Sequence, residues 1–271
     1  MKREWGREWV HARRGTRNYV GGQVISVLGS PLLGGIERAA QLGQGKGWGA
    51  GTVKDECLAI SRLLGGASSQ KLVALDIGAN VGKWSEAFIK IFPETSLHAF
   101  EPSKHAYDEL VRRLSGYEKA RTHKIALGRA AEERALYADV PGSGLASLTQ
   151  RHISHLGIEM KLSEMVTVEA LDVWAGEAGL TKVDVLKMDV EGHELEVLAG
   201  GERLIQSTRC VEFEFGGCNI DSGTYFRDLW RTLTGFGFKI FRIGPRGPLR
   251  VKNYSEREEV FLTTNFIGIR G

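Results

Sequence analysis

Leu72-Val-Ala-Leu-Asp-Ile-Gly-Ala-Asn-Val-Gly82 anchors the interpretation of the chain. A short apolar strand, Leu72 to Leu75, runs into Asp76, a tight turn carries Gly78, Asn80 and Gly82, and a helix is expected over Trp84 to Phe92. In a doubly wound sheet such a strand-to-helix turn lies at the carboxyl ends of the strands, where ligands bind. Glycine tolerates positive φ and lets a ligand approach the backbone closely. Asn is the best non-glycine residue for the same backbone region, so Asn80 fits where a middle glycine often stands.

The next strand, Ser96 to Phe100, delivers Glu101 at 19 positions beyond Gly82. A carboxylate about 20 residues past the glycine turn suits hydrogen bonds from ribose hydroxyls, which points to a nucleoside ligand. A dinucleotide sets its pyrophosphate over the turn and needs the G-x-G-x-x-G spacing. Here Lys83 stands at the third glycine position. Asp76 is expected at the mouth of the turn, where it would repel a pyrophosphate and attract a cationic amino-acid end. S-adenosylmethionine carries an ammonium and a sulfonium, so charge complementarity favours it over NAD. A tight connection with no ligand is the bland alternative.

A second cluster lies further on. The apolar strand Val183 to Val190 leads into Glu191-Gly-His-Glu194, so Lys187, Asp189, Glu191 and His193 crowd its carboxyl end. Buried charges are costly unless paired or functional, and clustering at the ligand edge of a sheet favours function. Transfer of a methyl group to a hydroxyl needs alignment and removal of a proton. His193 is the natural base, because an imidazole titrates near neutrality, and Asp189 or Glu191 would orient the hydroxyl or the ring. A magnesium ion held by Asp189 and Glu191 is a less favoured alternative, and no metal site is expected. The structural alternative is an Asp189–Lys187 ion pair with His193 and Glu194 capping the next helix.

Around these motifs strands and helices alternate from residue 71. Helices are expected from Ser103 through Leu114, over Glu194 to Leu198 and over Thr224 to Leu233. Strands are expected at Thr122 to Leu127, Met165 to Leu171, Val211 to Phe215, Lys239 to Ile243 and Val260 to Ile269, with a hairpin near Leu136 to Val140. That order predicts an α/β domain with a mostly parallel, doubly wound sheet and helices on both faces. Residues 1–70 are assigned to an N-terminal extension, an irregular glycine-rich arm to about residue 50 and then a helix from Asp55 to Leu64, serving as a lid or a dimer contact in a homo-oligomer. Residues 71–271 form the catalytic domain.

Of 271 residues, 42% are hydrophobic and the net charge is +3. The chain can therefore bury a large core, and it lacks the strong basic bias of a nucleic-acid binder. Cys57, Cys210 and Cys218 form no CxxC pair and read as reduced thiols. No stretch reaches the roughly 18 apolar residues of a membrane span. The basic N-terminus followed by Val24 to Ile36 superficially resembles a signal peptide, but Glu4, Glu8 and the interrupting glycines and proline argue against export. A cytoplasmic setting is expected.

At four stretches the chain resembles the FkbM-like family of S-adenosylmethionine-dependent methyltransferases. They are Asp76-Ile-Gly-Ala-Asn-Val-Gly82, Phe100-Glu-Pro102, Ala126-Leu-Gly128 and Leu186-Lys-Met-Asp-Val-Glu-Gly-His-Glu194. The resemblance covers roughly residues 70–245 and implies a class I methyltransferase, Rossmann-like, with a seven-stranded sheet ending in a reversed hairpin. It implies O-methylation of a small molecule, sugar or polyketide-like hydroxyl. It places Asp76, Gly78, Asn80 and Gly82 at the methionine and ribose end of the donor, Glu101 on the ribose, Ala126 near the adenine and Asp189 beside methyl transfer. Ile125 departs from the polar residue common before that Ala-Leu-Gly turn. The loop Gly142 to Ser147 also resembles a family feature near the donor pocket. A cofactor-binding module without catalysis and an NAD-dependent oxidoreductase or epimerase are the competing readings.

Overall fold

Side-chain parity inside the strands sorts the core into two apolar layers. A computed structural model of the chain describes residues 30–49, 53–66 and 70–270. In β1 (Val73–Ile77) Leu75 and Ile77 belong to one layer and Ala74 to the other, so Asp76 shares the face of Ala74. The same alternation holds in β7 (Val185–Met188) and β8 (Cys210–Phe215), where Leu186, Met188, Val211 and Phe213 join Leu75, while Val185 and Cys210 join Ala74.

The remaining strands are β2 (Ser96–Phe100), β3 (Ala120–His123), β4 (Ala126–Gly128), β5 (Glu132–Ala138), β6 (Leu162–Ala170), β9 (Lys239–Gly244), β10 (Gly247–Arg250) and β11 (Thr264–Ile269). The main sheet has the order β10-β9-β11-β8-β7-β1-β2-β3. Strands β3, β2, β1, β7 and β8 run parallel, and β11 is antiparallel to both β8 and β9. This is the expected mostly parallel α/β sheet with a reversed strand near one edge. Among the described residues it holds eight strands where seven were expected. The extra one, β10, folds back on β9 through a two-residue connection closed by Gly247 at φ 105°.

The expected single strand from Thr122 to Leu127 divides. β3 stays in the main sheet, whereas β4 pairs with β6 in a separate three-stranded sheet, β4-β6-β5. The break frees Ile125 and Ala126 to line a pocket.

Two helical layers cover the main sheet. The Ala74 face packs under α2 (Val53–Leu63), α3 (Lys83–Ile91) and α4 (Lys104–Leu114), through Cys57, Ile60, Trp84, Phe88 and Leu110. The Leu75 face packs under α5 (Leu171–Glu177), α6 (Glu194–Gly200), α7 (Glu202–Ser207) and α9 (Phe226–Gly235), through Trp174, Val197, Ile205 and Leu229. A short helix, α8 (Cys218–Ser222), follows β8.

The chain divides into two compact units, one up to Gln44 and one from Gly45 onward. Of the first, helix α1 (Ser30–Gly43) is described; residues 1–29 of the expected arm, with its basic stretch and the start of the Val24 to Ile36 run, lie outside the described residues. The second unit begins well before residue 71, the boundary read from the sequence. The reason is burial: Glu56, Cys57, Ala59 and Ile60 on α2 are all under the sheet's cover, so this helix is core rather than appendage. No helix among the described residues is long and apolar enough to cross a membrane.

Candidate functional site

The turn after β1 is built by backbone crossing at very short range. Gly78 has φ 78°, and its amide and that of Ala79 both donate to the Phe100 carbonyl, at 3.0 and 2.8 Å. A Cβ at Gly78 would lie 1.9 Å from the Asp189 carbonyl oxygen. Only glycine fits where the β1 turn passes the end of β7. Asn80 takes the left-handed conformation expected of it, φ 46°. Its amide donates to Glu101 Oε2 at 2.8 Å, its side-chain oxygen accepts from Val81 N at 2.8 Å, and its Nδ2 donates to the Ser143 carbonyl at 3.1 Å.

Glu101 therefore sits with both oxygens engaged, Oε1 accepting from Ser103 N at 2.8 Å. Burial pushes its carboxyl up to about 7, against the pull of the two amide donors. Each oxygen has further accepting capacity. Gly78, Asn80, Glu101, Ile125, Ala126 and Asp189 all line one pocket, which encloses about 640 Å³ including its mouth. Glu191 and His193 complete its far wall.

Two expected donor residues are not in that wall. Asp76 is fully buried on the opposite face of the sheet, where it accepts from Ser85 Oγ at 2.6 Å and lies 3.4 Å from Lys187 Nζ. Strand parity turns it inward, away from the mouth of the turn, and a partner cation meets it there. Gly82 starts α3 at φ 79° and faces Leu110, which a Cβ would approach to 2.7 Å; its role is helix packing. The pocket's acidic character thus comes from Glu101, Asp189 and Glu191 rather than from Asp76.

The second cluster keeps its place but changes its chemistry. Asp189, 39% exposed in its side chain, lies 3.2 Å from Lys187 Nζ. Glu191 occupies the left-handed region at φ 51°, uncommon for a non-glycine residue. It is held there by Arg151, 2.7 Å from Oε2, and by Ser147 Oγ, which donates to its carbonyl at 2.9 Å. Burial and the adjacent Asp189 push Glu191 up to about 8, although Arg151 pulls the other way. His193 Nε2 is 2.9 Å from Thr149 Oγ1, and burial pushes the imidazole down to about 4. With one nitrogen engaged by Thr149, the ring is less available as a proton acceptor than its residue type alone suggests. His193 does sit at the N-cap position of α6, but its side chain makes no capping bond.

A segment that the sequence left as a hairpin and loop supplies what was missed. Ser147, Thr149 and Arg151 alternate, and each reaches the Glu191–His193 turn. With Ser143 tied to Asn80, residues 143–151 form a strap across the pocket. Period-two spacing of polar residues was the available signal, hidden by the loop's glycines.

Glu191, Glu214 and Cys218 place one ligand atom each within 4.8 Å of one another. That donor set does not suit magnesium. Arg151 already supplies the positive charge at Glu191, burial pushes the Cys218 thiol far up so that it stays protonated, and Asp189 is not among the three.

Residues 76–240 match the methyltransferase FkbM domain. The chain belongs to the FkbM methyltransferase family. It is 29% identical over 161 residues to the 2-O-methyltransferase NoeI of Sinorhizobium fredii, covering 56% of this chain and 66% of that protein. It is 28% identical over 141 residues to methyltransferase 1 of Beauveria bassiana, covering 46% of this chain and 57% of that protein. The chain thus spans less than two thirds of either relative. Among solved structures, the FkbM methyltransferase of Methylobacillus flagellatus aligns with a TM-score of 0.45 at 16% identity, over 77% of this chain and 47% of that one. For an FkbM methyltransferase domain the donor is S-adenosylmethionine, and the pocket's chemistry fits it: an anchored carboxylate with free lone pairs for ribose, apolar Ile125 and Ala126 for a base, and acidic groups opposite for a sulfonium.

Proposed function

We propose that the chain is an S-adenosylmethionine-dependent O-methyltransferase acting on a hydroxyl of a small molecule or sugar. The observation that carries this reading is Glu101, buried in the pocket beside the Gly78–Asn80 turn with both oxygens oriented by backbone amides. Such a carboxylate is preset to accept ribose hydroxyls without reorganising. Gly78 and Asn80 form the floor, Ile125 and Ala126 the apolar side, and Asp189 and Glu191 the end at which transfer occurs. The donor, when bound, supplies a methyl group already activated by its sulfonium. What the chain must add is alignment of the acceptor oxygen and a place for its proton.

Asp189 is the group suited to that task. It is half-exposed on the pocket wall and fixed by Lys187. It can accept a hydrogen bond from an acceptor hydroxyl and hold the oxygen in line. His193, anchored to Thr149, serves instead to fasten the strap. The name of the relative NoeI supports oxygen as the acceptor atom. An NAD-dependent oxidoreductase loses ground, because Lys83 stands where the dinucleotide turn needs a third glycine.

The test is methyl transfer from labelled donor to a panel of neutral sugars and amino sugars, with the methylated atom located by NMR. Label on a sugar oxygen is the expected result; label only on nitrogen, or binding without transfer to any acceptor, overturns it. Asp189→Asn should lower kcat by about 10²–10³-fold, the size of a lost acid–base group. His193→Ala should cost much less. The reverse ranking would return the base role to His193.

A further inference from the structure

Across β1, β7 and β8 a row of charge lies beneath α2 and α3. Asp76 is in register with Lys187, and Lys187 with Glu212, so the three side chains share one face of the sheet. All three are buried. Lys187 Nζ lies 3.4 Å from Asp76, 3.2 Å from Asp189 and 5.8 Å from the centre of the Trp84 ring. Trp84 Nε1 donates to Glu212 Oε2 at 2.9 Å. Glu56 of α2, outside the span matched by the FkbM domain, hydrogen-bonds Glu212 and accepts from Asn265 Nδ2 at 2.8 Å.

The charges in this row are unequal. The Lys187 ammonium interacts with Asp189, Asp76, Glu212 and Glu56. Burial and the nearby Glu56 push Glu212 well above the usual carboxylate range. The ion pairs of Lys187 are with Asp76 and Asp189. Of these only Asp189 leaves the row and enters the donor pocket wall. On its far side it faces Glu191 and Glu194 from the following turn and helix, and Glu214 from β8. His193 and Glu101 face the same pocket.

We propose that Lys187 is a positioning residue: clamped against the sheet by Asp76, its ammonium holds the Asp189 carboxylate turned into the pocket, where that carboxylate favours the sulfonium donor over its neutral demethylated product. The proposal rests on the donor-pocket reading above. It gives the site a means of product release, since the attraction disappears once the methyl group and its positive charge have left the sulfur.

Calorimetric titration with S-adenosylmethionine and S-adenosylhomocysteine tests it, on the wild type and on Lys187→Met. The two ligands differ only in the methyl group and its charge, so their affinity ratio is the readout. The ratio of donor to product affinity should be lower in Lys187→Met than in the wild type by about tenfold. Lys187→Arg should follow the wild type. Should Lys187→Met fail to fold, the double variant Asp76→Asn/Lys187→Met removes the buried charges together and is read in its place. Ratios that superimpose overturn the proposal. Wild-type protein that binds neither ligand overturns the donor-pocket reading itself, a separate and recognisable outcome.

Discussion

Glu101 shows how one residue type at one position sets both a site and its vulnerability. Its oxygens satisfy the amides of Asn80 and Ser103 while remaining open to a ligand. Glu101→Ala removes charge-assisted bonds worth about 1.5–3 kcal/mol, so affinity for S-adenosylhomocysteine should fall roughly 10–100-fold; calorimetry reads this, and an unchanged affinity would remove Glu101 from the donor site. Glu101, Gly78 and Asn80 were all legible in the sequence, because their roles follow from backbone conformation and spacing. Asp76 was not. A strand's alternation tells that Asp76 and Ala74 share a face, but not that Lys187 on a neighbouring strand waits there. Likewise His193 has the right intrinsic chemistry, and only the fold reveals the burial and the Thr149 contact that suppress it.

At the level of elements, the strap and α2 carry what local patterns concealed. Residues 143–151 carry a single backbone bridge, Ser147 to Tyr137, and the rest of their order comes from contacts to Asn80, Glu191 and His193. Thr149→Val keeps the volume but deletes the hydroxyl that meets His193 Nε2. A neutral hydrogen bond of about 0.5–1.5 kcal/mol is at stake, and dissociation of S-adenosylhomocysteine in a stopped-flow experiment should accelerate roughly 2–10-fold. An unchanged off-rate would mean that the strap does not gate the pocket. Helix α2 was visible as a periodic segment, but its membership in the core depended on partners more than a hundred residues away, Glu212 and Asn265 among them. The same long range hid the division of β3 from β4 and the β10 hairpin, since pairing choice lies in tertiary contacts that a single segment does not encode.

The whole molecule concentrates buried acids on one edge of its sheet, and its stability must respond to pH accordingly. Burial raises Glu101 and Glu194 to about 7 and Glu191 to about 8, from an ordinary value of 4.5. Between those limits the folded chain binds more protons than the unfolded one, so stability falls as pH rises through the window. Burial lowers His123 and His193 to about 4, which instead costs stability as pH falls below 6.5. The two effects oppose each other below pH 6.5, and above it the carboxyls act alone. The ligand-free protein should therefore melt at a lower temperature at pH 8 than at pH 6.5; a melting temperature that rises across that interval would contradict the burial described here. A crystal structure with S-adenosylhomocysteine decides where the methyl donor binds. The expected result is ribose hydroxyls on Glu101, the base against Ile125 and Ala126, and the sulfur at the Asp189 end; a ligand bound elsewhere, or one whose ribose lies away from Glu101, would contradict it.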